Sequence, residues 1–162
     1  MELFLLIEEK LKELSINFNV VEHEPALTTE QADRFIEGLE GVRTKTMFLT
    51  NRKKTEFYML IMDDKKRLDM KKLGEIVSAN HIKMVSENTI YEKIMSQPGI
   101  VSPFALMNNK EKDIKVYIDK EIIEEEYMTF HPGTNEKTLF IKTVDLLKFL
   151  ESIEYDVNVI EI

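Results

Sequence analysis

The chain has 162 residues, no cysteine and a formal net charge of -8. That length supports one sizeable core but not two, so a single domain spanning 1–162 is expected. The missing cysteines exclude disulfides, thiolate metal sites and cysteine nucleophiles, and the acidic balance confines any contact with a polyanion to local basic patches.

The apolar start, Met1 to Ile7, is interrupted at once by Glu8, Glu9, Lys10 and Lys12. It is therefore expected to be neither a signal peptide nor a membrane span, which makes the cytoplasm the default location. Leu3, Ile7, Leu11 and Leu14 recur at helical spacing and predict an amphipathic helix ending near Ser15. Phe18 and Val20, with His23 at the far end, alternate as in a strand. Pro25 marks a turn, and Thr28 with Gln31 forms a capping box that opens a short helix to about Gly38.

Thr46–Leu49 and Phe57–Met62 read as two strands of a hairpin whose tip, 51–55, is polar and basic, with Lys45 at the start of the first strand. A basic cluster gathers here: Arg43, Lys45, Arg52, Lys53 and Lys54, then Lys65, Lys66 and Arg67. It reads equally as a solvated strand edge or as a local anion-binding patch.

Further along, 73–77 predicts a helix, 82–85 a strand, and 87–95 a helix capped by Ser86, followed by the punctuation of Pro98, Gly99 and Pro103. Segments 115–119, 128–131 and 136–142 read as strands, 143–153 as an amphipathic helix, and 157–160 as a last strand. Hairpins interspersed with short helices, without regular βαβ alternation, predict an α+β fold. Its sheet would be mixed, mostly antiparallel and flanked by short helices.

Familiar catalytic signatures are absent. His23-Glu24 lacks the second histidine of a zinc-protease helix, and no nucleophile elbow, phosphate-binding loop or dinucleotide fingerprint occurs. The three histidines show no metal-ligand spacing, so neither a metal nor a cofactor is expected. The doublet Asp63-Asp64 and the run Glu124–Glu126 read as solvated turn and helix-end residues.

Four separated elements remain: Glu22-His23-Glu24-Pro25 with Thr28; Gly41 and Lys45 followed by Met47-Phe48-Leu49; Gly99-Ile100-Val101-Ser102-Pro103-Phe104; and His131-Pro132 with Asn135 and Thr138. In this order they resemble the YbaK/ProX family of freestanding aminoacyl-tRNA editing proteins, related to the insertion domain of bacterial prolyl-tRNA synthetase. The segment from His131 to Thr138 is similar to the branch that hydrolyses alanyl-tRNA(Pro). Thr46 stands where that branch usually carries Asn, and Asn51 and Asn109 stand where Asp is usual.

The resemblance implies a YbaK/ProX-like fold and a trans-editing deacylase, with the acceptor end of aminoacyl-tRNA(Pro) as substrate and prolyl-tRNA synthetase as a further candidate partner. A monomer with no membrane association is expected. It also implies an essential lysine at Lys45, a Gly99 loop that positions the ester, and participation of the substrate's ribose 2′-hydroxyl. Cysteinyl-tRNA(Pro) as substrate, or a binding module without turnover, are the alternatives.

Such a reaction needs no protein nucleophile, because an aminoacyl ester is labile and yields to positioning and oxyanion stabilisation. Lys45 would hold a phosphate or the ribose as a point charge. Backbone N–H groups near Gly99 would meet the carbonyl oxygen. His131 would line the pocket or take a proton near neutral pH, unless it is an ordinary sheet histidine. Lys45, Gly99 and His131 are thus the candidate catalytic residues. His23, Thr28, Met47, Ser102, Pro103, Phe104 and Asn135 are the candidate substrate contacts. His23 also reads as structural, Asn135 as a turn residue, and Met47 and Phe104 as core.

Overall fold

In a computed structural model describing residues 2–162, the amphipathic stripe of the first segment forms α1 (Leu3–Glu13), which buries Ile7 and Leu11. The chain continues through β1 (Phe18–Glu22), α2 (Thr29–Phe35), β2 (Val42–Thr50), β3 (Phe57–Asp63), α3 (Met70–Val77), β4 (Lys83–Met84) and α4 (Glu87–Ile94). A short 3-10 helix, Pro103–Asn108, precedes β5 (Ile114–Asp119), α5 (Lys120–Ile123), β6 (Tyr127–Phe130), β7 (Lys137–Lys142), α6 (Thr143–Ser152) and β8 (Val157–Ile160).

The strands form one 8-stranded sheet in the order β1-β7-β6-β2-β3-β5-β8, with β4 added beside the end of β2. Pairings β1·β7, β6·β7, β2·β3 and β2·β4 are antiparallel, whereas β2·β6, β3·β5 and β5·β8 are parallel. The mixed, mostly antiparallel sheet with flanking helices is the architecture expected from the sequence.

Strand alternation gives the sheet two differently covered faces. On one, Phe48, Met59, Ile61, Val116, Phe130 and Leu139 pack with Ile7, Ile94, Phe104 and Phe149 from the helices, forming the main core. On the other, Leu49, Tyr58, Leu60 and Met62 pack beneath Leu73 of α3. Among the described residues no helix is long and apolar enough to cross a membrane.

Several local expectations need correction. Lys45 does not start its strand: β2 begins at Val42, and Lys45 pairs with Met62 well inside the ladder. The β-branched Val42 and Thr44 extend the strand because both neighbours hold it. Val42 pairs with Met128, and the Thr44 hydroxyl donates to the Thr129 carbonyl at 2.5 Å. The 3-10 helix and α5 are additions. In α5 the Asp119 carboxylate caps a single turn by accepting from the Glu121 N–H at 3.1 Å.

Candidate functional site

The approach to α2 is tied down by hydrogen bonds on both sides of a shallow cavity. Thr28 Oγ1 accepts from the Gln31 N–H at 3.1 Å, and Gln31 Oε1 accepts from the Leu27 N–H at 2.8 Å. The capping box is therefore real, although its return bond reaches Leu27 and not the cap residue. From the opposite wall, Asn135 Nδ2 donates to the Ala26 carbonyl at 3.1 Å, while the Ala26 N–H donates back to the Asn135 carbonyl at 2.9 Å.

These bonds frame a cavity of about 200 Å³ lined by Thr28, Thr29, Ala32, Gly99, His131 and Asn135, among others. Four residues singled out from the sequence thus meet there: Thr28, Gly99, His131 and Asn135. The volume lies below the roughly 300–1,000 Å³ usual for small-molecule pockets, which suits one small group better than a whole nucleotide. Gly99 sits at φ +87 with nothing within 4 Å of a built Cβ, so its backbone turns openly beside the cavity.

His131 Nδ1 is buried and has no hydrogen-bond partner. Burial holds the imidazole below its ordinary pKa; the nearby Asp33 charge opposes that shift and His23 adds to it. The ring is consequently neutral near pH 7 and keeps an unused nitrogen. His23 does not line the cavity. Its Nδ1–H donates to the Glu24 carbonyl at 2.8 Å, which leaves Nε2 to accept from the Thr138 hydroxyl at 2.9 Å. It also stacks on Phe35 of α2 at 4.8 Å, so it fastens the helix to the sheet.

Lys45 lies outside the cavity lining but on the same side of the sheet. β2 and β6 run parallel, with Arg43 beside Thr129 as their last pair; Lys45 and His131 each follow that pair by two residues on their own chain segments. Among the described residues no carboxylate lies within 4.0 Å of its amine. Met47, next on that face, pairs with Leu60 and packs half-buried against the smaller cluster.

The structure divides the 99–104 segment. Gly99 is exposed at the cavity, but Ser102, Pro103 and Phe104 are buried. Phe104 packs against Phe149 at 4.9 Å and edge-on to Phe130 at 5.5 Å, in the core across the sheet. A substrate under α2 cannot touch it there, so Phe104 is a core residue that anchors the segment.

Two charged groups matter in ways the sequence did not indicate. Asp64 is no solvated turn residue. Its Oδ1 is buried, and burial together with the adjoining Asp33 carboxylate pushes its pKa up to about 8. Arg43 leaves the basic cluster: its guanidinium donates to the carbonyls of Ile36, Leu39 and Gly41 at 2.8, 2.8 and 2.5 Å, closing the end of α2. Asp64 carries no local signal, because Asp33 reaches it only through tertiary packing, whereas the partners of Arg43 lie two to seven residues before it, in the loop between α2 and β2. Among the described residues no three His, Asp or Glu side chains converge as a metal site.

Residues 23–149, from His23 past the His131 segment, match the model of the aminoacyl-tRNA editing domain. The chain belongs to that family. It is 28% identical over 144 residues to the prolyl-tRNA editing protein ProX of Acetoanaerobium sticklandii, covering 88% of this chain and 87% of that one. It is 30% identical over 151 residues to the prolyl-tRNA synthetase associated domain-containing protein 1 of Danio rerio, covering 92% and 82%. In fold, this editing domain is similar to the crystal structure of a proposed trans-editing enzyme for prolyl tRNA synthetase. The TM-score is 0.75 at 16% identity, over 100% of this chain and 98% of that one.

Proposed function

We propose that this editing domain is a freestanding deacylase that hydrolyses the ester of alanyl-tRNA(Pro). The observation that carries the reading is the small cavity lined by an open glycine turn and a neutral, unpartnered histidine, with an unpaired lysine two residues past the last β2–β6 pair on the same side of the sheet. The prolyl-tRNA wording of the ProX and Danio rerio relatives supports the choice of tRNA.

In this reading the aminoacyl group enters beneath α2 and its carbonyl oxygen faces the backbone at Gly99. N–H groups there stabilise the oxyanion as water attacks the carbonyl carbon. His131 takes a proton from that water, the bond from the carbonyl carbon to the ribose oxygen breaks, and the ribose oxygen is protonated as the amino acid leaves. Lys45 holds the terminal phosphate or ribose as a compact cation, so the ester is presented in one orientation. Thr28 and Asn135 hold the cavity walls.

A pocket of this size selects by excluding larger side chains, at roughly 1–3 kcal/mol per methylene. The test is a panel of tRNAs carrying alanine, cysteine, serine and proline. Fastest release of alanine from tRNA(Pro) is the expected result. Faster release of cysteine would reassign the substrate, and binding without release would make the protein a binding module.

A further inference from the structure

The basic cluster seen in the sequence comes apart in three dimensions. Arg43 caps α2, and Lys66 is held at 2.8 Å by both Asp119 and Glu121. Arg52, Lys53 and Lys54 stay together at the tip of the β2–β3 hairpin, all exposed, while Lys45, Lys65 and Arg67 lie toward its other end. The fold brings exposed Lys71, His81 and Lys83 to the same region, from α3 and from the turn and strand that follow it. The Arg52 N–H donates to the Asn80 carbonyl at 3.2 Å, and Lys83 pairs with Thr50 beside the tip.

The tip is shaped. Asn51 Oδ1 accepts from the N–H groups of Thr55 and Glu56 at 2.9 and 3.2 Å, and its amide donates to Thr55 Oγ1. Between tip and turn runs a groove of about 570 Å³ lined by Asn51, Arg52, Lys53, Asn80 and His81. A second groove, of about 670 Å³, continues from it along α3 past Lys71. Among the described residues Arg52, Lys53, Lys54, Lys71 and Lys83 form no ion pair, whereas Lys93, Lys115 and Lys120 are all matched by acids. Glu56 at the groove is engaged by Lys115 and by the Tyr58 hydroxyl, which leaves Glu75 as the acid facing these cations.

Uncompensated cations gathered at one place on a chain of net charge -8 mark a surface for a polyanion. We propose that the β2–β3 tip and the turn before β4 bind backbone phosphates of tRNA, holding the acceptor stem while its aminoacylated end reaches the cavity beneath α2. This rests on the deacylase reading above. Arg52 follows Lys45 by seven residues of β2 and its turn, roughly 23 Å at about 3.3 Å per residue. A stacked strand advances roughly 3.4 Å per nucleotide, so the contact would fall about seven nucleotides from the ester, on the stem and not on the terminal bases.

The test compares wild type with the triple variant Arg52→Ala, Lys53→Ala, Lys54→Ala, all exposed side chains whose removal keeps the backbone bonds of the tip. Binding of uncharged tRNA(Pro) is measured from about 50 to 200 mM salt. The expected result is at least tenfold weaker binding, with the slope of log K against log salt shallower by about two to three units, since each phosphate contact contributes roughly 0.7–0.9. An alanyl ester on a short single-stranded oligonucleotide ending in CCA should be cleaved as fast as by wild type. Unchanged affinity and slope would overturn the surface, as would an equal loss in the control Lys10→Ala, Lys12→Ala on α1. If wild type cleaves no ester but the triple variant still loses tRNA, the deacylase reading fails and the surface stands.

Discussion

Asp64, just past the end of β3, has Asp33 of α2 as its neighbouring carboxylate, and burial together with that neighbour raises the pKa of the Asp64 carboxyl to about 8. Two facing carboxyls at a half-buried contact cannot both ionise without loss, so the pair keeps one proton. Asp64 therefore takes up in the folded state a proton that it would release in the unfolded chain above pH 4.

The sign follows from linkage. A carboxyl raised from its ordinary 3.8 to about 8 contributes stability that is full below the lower value and is lost as pH rises through the upper one. Wild type should lose thermal stability steadily between about pH 5 and 8. Asp64→Asn, which removes the titrating group and keeps the size of the side chain, should flatten that slope and be the more stable protein at pH 8. Thermal melts of both across this range check it; parallel curves would show that the pair does not share a proton.

Gly99 and Gly74 separate conformational strain from crowding. At Gly99 the cost is the left-handed backbone at φ +87, about 1–2 kcal/mol for Gly99→Ala, because no atom lies within 4 Å of the added methyl. At Gly74 a Cβ would lie 2.8 Å from the Ala79 carbonyl oxygen, so Gly74→Ala must move backbone and should cost about 1–3 kcal/mol. Denaturant melts measure both. Deacylation should fall at least tenfold in Gly99→Ala and stay near wild type in Gly74→Ala, assayed where both remain folded.

Thr138→Val removes the hydroxyl that His23 Nε2 accepts from and offers no replacement. A partly buried nitrogen without its partner costs about 1–3 kcal/mol. Since His23 stacks on Phe35, the loss should also loosen α2, seen as faster amide hydrogen exchange over 29–35 than over α6.

Phe104→Ala should destabilise by about 3–5 kcal/mol, as expected for a fully buried aromatic, while leaving the ranking of released amino acids unchanged. A changed ranking with little loss of stability would return Phe104 to the substrate pocket.

The elements easiest to read were those written in local chemistry. Thr28 and Ser86 cap the helices they were expected to cap, and 157–160, an alternating run at the chain's end, is a strand with the same bounds. Short-range signals failed where the decisive partner is distant in sequence. Nothing around Asp64 reveals Asp33; the carbonyls that engage Arg43 are near in sequence, at Ile36, Leu39 and Gly41, but lie in a loop that no periodicity marks. β2 starts before its own apolar run because the neighbouring strands extend it to Val42. Phe104 was ambiguous for a simpler reason: a bulky apolar side chain suits a pocket floor and a core equally well, and only the choice of sheet face decides between them.

The proposed role of Lys45 beside the His131 cavity is most directly tested by the rate of alanine release from alanyl-tRNA(Pro) with Lys45→Ala, alongside Lys45→Arg. At least hundredfold slower release by the alanine variant, with partial recovery by arginine and an unchanged melt, is the expected result. Release by folded Lys45→Ala at the wild-type rate would contradict it.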